Sequence, residues 1–273
     1  MAQFGYRGPL KAVILDWAGT TLDYGCFGPA GVFVEVFEQK GVPITIEEAR
    51  APMGTDKRVH IASIAKTPWV AKRWREAQGR PCTEDDIDAM FAEFVQRQLG
   101  CLARHADLVP GCLEAMAEFR DRGLKVGTTT GYTTSMMRIV AGEAKKRGYV
   151  PDTIVCADEV QFARPEPWMC FENMRRLHVC PPSAVAKVGD TIPDILEGLN
   201  AGMWTIGVAR TGNEMGLTEA QVANLSPDEL DRRLARAYHR LRDAGAHFVV
   251  DSIADVPPIL DLLEARLASG DRP

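Results

Sequence analysis

The chain has 273 residues, 46% hydrophobic and 25% charged, which is enough apolar content for one sizeable core and a smaller one. Its formal net charge of -5, with no basic cluster, argues against nucleic acid as a partner. No apolar run approaches the ~20 residues that span a bilayer, and the N-terminal MAQFGYRGPLKAV has no signal-peptide pattern.

The first short apolar run covers residues 12–15 and is closed by Asp16. Between about residue 25 and residue 104 no comparable strand follows, and the pattern is helical. Thr45 and Glu48 have capping-box spacing, and Thr67-Pro68 sets a cap residue before a proline suited to the first helical position. Thr83 and Asp86 resemble another cap, after which Ile87, Met90, Phe91, Phe94, Val95 and Leu99 form an apolar stripe. Short apolar runs then recur at 124–128, 153–156, 184–188, 204–209 and 247–250, with helical patterns between them. Residues 211–246 read as a long helical excursion before the last of these strands. Strands alternating with helices imply a parallel sheet covered by helices. The expected fold is α/β: a Rossmann-like parallel sheet core (1–24 and 104–273) with a helical cap domain (25–103) inserted after the first strand. The seven cysteines (26, 82, 101, 112, 156, 170 and 180) are odd in number and form no CxxC pair, which reads as reduced thiols in a cytoplasmic protein.

Four pieces with chemistry fall at expected strand ends: Asp16, Thr130-Gly131, Arg164, and Asp190 with Asp194. In an open parallel sheet, ligands bind at the carboxyl ends of the strands. Asp16 and Asp190 offer hard oxygen ligands for Mg²⁺. Thr130 can donate a hydroxyl, and the amides after it are expected to open a helix whose N-terminus favours anions. Arg164 can offset phosphoryl charge. In the insert, Lys57 and His60 share one helix face if Thr55 or Asp56 is the cap.

In order along the chain, DWAGTT, GTTTGY, ARPEPW and VGDTIPD resemble the four motifs of the haloacid dehalogenase superfamily, mostly phosphotransferases acting through an aspartyl phosphate. Ala18 stands where the usual phosphatase members carry an acid that protonates the leaving oxygen. DWAGTTLDYGCF, PMGTDK and TTGYT together closely resemble the phosphonoacetaldehyde hydrolase family, the phosphonatase branch of that superfamily. This resemblance implies a Schiff base between Lys57 and the substrate aldehyde, an Asp16 nucleophile, and Mg²⁺ held by Asp16, the Ala18 carbonyl and Asp190. It also places Met53, Cys26, His60 and Tyr132 near the site, and it implies a homodimer, often formed through the cap. The insert residues Val32 to Phe37, Trp69 and Trp74 are candidates for that surface. His60 could shuttle protons during imine formation, Cys26 could be a hinge residue, and Tyr132 could cover the phosphate. The enzymatic rival is a superfamily phosphatase or phosphomutase acting on a sugar phosphate. The other rival is a binding or scaffold protein on the same fold.

Overall fold

The computed structural model describes residues 6–273, so the first five residues of the N-terminal segment lie outside it. The first strand, β1 (Ala12–Leu15), is fully buried, as an interior parallel strand must be. Five helices then follow without a strand: α1 (Phe27–Gln39), α2 (Ile46–Arg50), α3 (Lys57–Lys66), α4 (Pro68–Gln78) and α5 (Glu84–Cys101). The chain enters them through Asp23 and Cys26, both with positive φ. The Asp23 carboxylate accepts hydrogen bonds from the Phe27 and Gly28 N–H groups, capping α1. Thr45 and Thr83 each close a capping box, as their spacing suggests. Thr67 precedes Pro68 but does not cap α4 through its hydroxyl, which instead donates back to the Ile64 carbonyl.

After α6 (Cys112–Asp121) come β2 (Lys125–Thr130), α7 (Thr134–Lys146), β3 (Thr153–Cys156), α8 (Trp168–Leu177), β4 (Val185–Gly189), α9 (Ile192–Asn200) and β5 (Trp204–Val208). The chain ends with α10 (Glu219–Ala223), α11 (Pro227–Asp243), β6 (Phe248–Val250) and α12 (Val256–Ser269). The six strands are all parallel, in the order β3-β2-β1-β4-β5-β6. Successive residues of β1 feed opposite faces. Val13 and Leu15 join the main core, while Ala12 and Ile14 join a smaller cluster with Cys170 and Leu177 of α8.

Strand limits differ slightly from expectation. β2 runs two residues beyond 128 because its pairing with β3 continues to Thr130↔Cys156. His247 is not part of β6; its ring Nδ1 accepts the Thr205 N–H. A larger correction concerns the residues read as an interface. Val32, Phe33, Val36, Phe37 and Trp74 are buried within this chain, where they join Ile87, Met90 and Phe94 in the main core. Trp69 of that group is exposed, at 73%, and Glu35 within 32–37 is exposed as well. No helix among the described residues is long and apolar enough to cross a membrane.

Candidate active site

The strand order reverses about β1. The order runs outward through β2 and β3 on one side and through β4, β5 and β6 on the other. Such a switch point leaves a crevice at the carboxyl ends of the two central strands. Asp16 follows β1 and Asp190 follows β4, and the Asp16 N–H donates to the Val188 carbonyl at 2.9 Å, so the two acids are neighbours for a topological reason. Oxygens of Asp16, Asp190 and Asp194 lie within 4.8 Å of one another, all buried.

Two buried cations balance part of this charge. Arg164 donates to Asp16 Oδ1 at 2.8 Å and to Glu197 Oε2 at 2.9 Å, and it also lies 3.0 Å from Asp194 Oδ1. Lys187 projects from inside β4 to Asp194 at 2.6 Å and Glu197 at 3.5 Å. Thr129 ties the group together, accepting from Arg164 Nη2 and donating to Glu197. Burial works against the Arg164 charge, but Asp16, Asp194 and Glu197 overrule it and hold the guanidinium protonated. Asp194 is likewise buried, yet Arg164 and Lys187 keep it below the usual carboxylate range. It also closes the capping box of α9 with Thr191, so it is an internal strut and not a surface carboxylate.

Asp190 is different. Among the described residues it faces no cation; its partners are the Thr20 hydroxyl at 3.0 Å, the Asn213 N–H at 2.8 Å and the Cys26 thiol at 3.2 Å. Burial, then the charges of Asp16 and Asp194, push its carboxyl well above the usual range. Burial also raises Asp16, against the pull of Arg164. A buried acid pair with one member lacking a counter-cation suits a divalent ion bound through oxygen. The Ala18 carbonyl oxygen is at hand as a third donor, 3.0 Å from the Cys26 sulfur that bridges it to Asp190. The residues present therefore fit a divalent cation held through Asp16, Ala18 and Asp190.

Above these acids is a small cavity of about 20 Å³, lined by Asp16, Ala18, Cys26, Met53, Lys57, Thr130, Gly131, Tyr132 and Arg164 among others. The insert supplies its roof. Asp56 caps α3, its carboxylate accepting from the Arg58 and Val59 N–H groups, and this puts Lys57 at the first helical position. Lys57 is only 4% exposed, and its Nζ lies 5.0 Å from the centre of the Tyr132 ring. Burial lowers its pKa from 10.5 to about 8, although Asp16 and Asp56 pull the other way. At pH 7 about one Lys57 in ten then carries a neutral amine.

The loop before α3 is pressed onto the core. Gly54 has φ +95°, and a Cβ there would fall 2.1 Å from the Thr191 hydroxyl oxygen. A Cβ on Gly131 would fall 2.5 Å from the Thr55 carbonyl oxygen. Both glycines are thus needed for the insert to seat over the strand ends.

His60 is placed otherwise than expected. It shares a helix with Lys57 but does not line the cavity; it is fully buried, stacked on Phe33 at 3.8 Å, with Nε2 2.7 Å from the Ala49 carbonyl oxygen. Burial, then the Lys57 charge, hold it well below its ordinary pKa, so it is a neutral packing residue and not a proton shuttle at the surface of the site. The amides after Thr130 form a turn, and α7 opens only at Thr134. Sequence reasoning missed Glu197, Lys187 and Thr129. A lysine inside the apolar run AVAKVG was the available signal, because a strand buried on both faces admits a charge only against a partner.

The comparisons agree with this geometry. Residues 10–202 match the haloacid dehalogenase-like hydrolase family. A phosphonoacetaldehyde hydrolase of Nitratidesulfovibrio vulgaris is 49% identical over 98% of this chain and 96% of that protein. The chain belongs to the phosphonoacetaldehyde hydrolase family. A phosphonoacetaldehyde hydrolase-like protein of Syntrophobacter fumaroxidans is 49% identical over 98% of this chain and 97% of its own length. The crystal structure of a phosphonoacetaldehyde hydrolase-like protein from Oleispira antarctica superposes with a TM-score of 0.98 at 40% identity, covering 100% of this chain and 99% of that one.

Proposed function

We propose that the chain hydrolyses the C–P bond of phosphonoacetaldehyde to acetaldehyde and phosphate, with residues 25–103 acting as a cap domain. The observation that supports this reading most is a buried Lys57 with a lowered pKa, facing Asp16 across one cavity, with alanine at position 18. Breaking a C–P bond leaves an electron pair on carbon, and a carboxylic acid at position 18 is a poor receiver for it. An imine is a good one.

Lys57 as the neutral amine adds to the aldehyde carbon, and loss of water gives an imine that is protonated on nitrogen. Arg164 holds Asp16 Oδ1, which aims the other carboxylate oxygen at phosphorus. That oxygen attacks, the C–P pair moves into the imine to give an enamine, and an aspartyl phosphate forms on Asp16. The enamine takes a proton on carbon and is hydrolysed, freeing acetaldehyde and Lys57. Water then hydrolyses the acyl phosphate and restores Asp16. A bound Mg²⁺ would supply charge neutralisation for the phosphoryl oxygens; Asp16, Ala18 and Asp190 are the residues that would hold it. Seating of the insert excludes water while the imine exists. Reduced cysteines fit a cytoplasmic setting, since all seven are free thiols. The exposed Trp69 and Val59 give the insert apolar area for a homodimer.

The deciding experiment follows phosphate and acetaldehyde together from phosphonoacetaldehyde, with Mg²⁺ and with chelator. Borohydride added with substrate should inactivate the wild type and leave an alkylated Lys57, whereas Lys57→Arg should lose nearly all turnover. Full activity in Lys57→Arg would sink the imine route. Turnover of phosphate monoesters alone would favour the phosphatase or phosphomutase reading.

A further inference from the structure

Away from the active site, the insert meets the segment after β5 around a cavity of about 590 Å³. Arg50, the last residue of α2, lies in its wall and is only 9% exposed. Among the described residues it makes no ion pair. Its guanidinium sits 4.8 Å over the Phe27 ring, Nη1 donates to Asn213 Oδ1 at 3.1 Å, and Nη2 is buried without a partner. The Asn213 side chain donates back to the Arg50 carbonyl at 3.5 Å. Burying a guanidinium with an unsatisfied N–H is unfavourable, and a packing role would be met as well by methionine or leucine. What Arg50 gains is Asn213, and Asn213 donates its backbone N–H to Asp190 Oδ2 at 2.8 Å. Four residues further on, Gly54 is pressed against Thr191.

We propose that Arg50 is a positioning residue that latches the insert to the core: by docking on Asn213 it holds the insert over the cavity and fixes the loop whose N–H orients Asp190. The latch joins two parts of the chain 163 residues apart and needs no substrate to form. It deepens the phosphonatase reading but depends on that reading only for the name of the reaction.

Lys57 offers a readout that is independent of substrate. It is 4% exposed while the insert is seated, so an amine reagent reaches it only when the insert lifts. The full-length protein is exposed to trinitrobenzenesulfonate, and modification of Lys57 is timed by peptide mass spectrometry in wild type, Arg50→Met, Asn213→Ala and the double variant. Arg50→Met keeps the stem that covers Phe27 but removes the donors; Asn213→Ala removes the acceptor and keeps the N–H to Asp190. Loss of one charge-assisted hydrogen bond from the seated state should speed labelling by about tenfold in each single variant. The double variant should label no faster than the faster single, because both remove one contact. Arg50→Lys should recover part of the protection. With phosphonoacetaldehyde, kcat should fall in step with the gain in labelling, while the melting temperature stays close to wild type.

Wild-type labelling in Arg50→Met, or effects that multiply in the double variant, would overturn the latch. If Arg50→Met does not fold, Asn213→Ala alone decides, by the same labelling criterion. If labelling rises as expected but no variant and no wild type cleaves phosphonoacetaldehyde, the latch stands and the substrate assignment falls.

Discussion

Placing a carboxylate at position 18 tests why alanine stands there. Ala18 and Lys57 line the same cavity, together with Asp16. Lys57 owes its pKa of about 8 to burial, partly undone by Asp16. A second carboxylate in the cavity adds to that opposing pull, and an opposite charge within a few ångströms moves a pKa by about one to three units. A rise of one to two units would take Lys57 to about 9–10 and cut its neutral share at pH 7 about 10- to 100-fold. Ala18→Asp should therefore slow C–P cleavage by that factor at pH 7, a barrier increase of about 1.4–2.7 kcal/mol. The sign is fixed by the chemistry. Imine formation needs the deprotonated amine, so activity climbs as pH rises through the Lys57 pKa, and the variant's climb is displaced upward. Phosphate release from phosphonoacetaldehyde is measured from pH 6 to 10 in both proteins, alongside release from a simple phosphate monoester. Ester hydrolysis should rise from a low baseline, because the new acid can protonate an alkoxide. Undiminished C–P cleavage at pH 7, or a loss that does not recover at high pH, would refute the argument.

Asp16→Asn should retain the fold and lose turnover, since an amide is a poor nucleophile; normal turnover in freshly prepared protein would exclude an aspartyl phosphate. Asp190→Asn should raise the Mg²⁺ needed for half activity by at least tenfold, and isothermal titration of the resting protein with Mg²⁺ checks this without substrate. Gly54→Ala should lower the melting temperature and reduce turnover at least tenfold, because alanine is strained at φ +95° and its methyl group, 2.1 Å from the Thr191 oxygen, keeps the insert from seating. A Gly54→Ala protein with wild-type kcat would show that seating at Thr191 is dispensable.

The sheet and the placing of the candidate residues along its edge were legible because residues with chemistry stand at strand ends. Asp16, Thr130 and Asp190 each punctuate an apolar run, and a parallel sheet gathers such ends along one edge. The capping boxes at Thr45 and Thr83 were legible because their hydrogen bonds span three residues. What escaped reading lies in contacts between distant segments. Nothing near Arg50 announces Asn213, and the apolar face of α1 reads equally as an interface or as a core until α3 and α5 are seen against it. His60 shows the same limit: its spacing from Lys57 was right, but stacking on Phe33 decides what the ring does.

The position of β1 also bears on how this chain is made. It is a central strand, yet Ala12 pairs with Lys125 on one side and Val185 on the other, 113 and 173 residues later. At ribosomal rates of about 5–20 residues per second, β1 waits roughly 6–20 s for its first neighbour. The five helices of the insert emerge during that interval, and α1 with α2 and α5, and α3 with α4 and α5, find partners within the insert itself. The segment that later roofs the cavity is thus ready to fold on the nascent chain before the sheet has two strands to pair. A stall placed between residues 104 and 125 should capture a ribosome-bound chain whose helical insert resists protease while residues 10–16 do not.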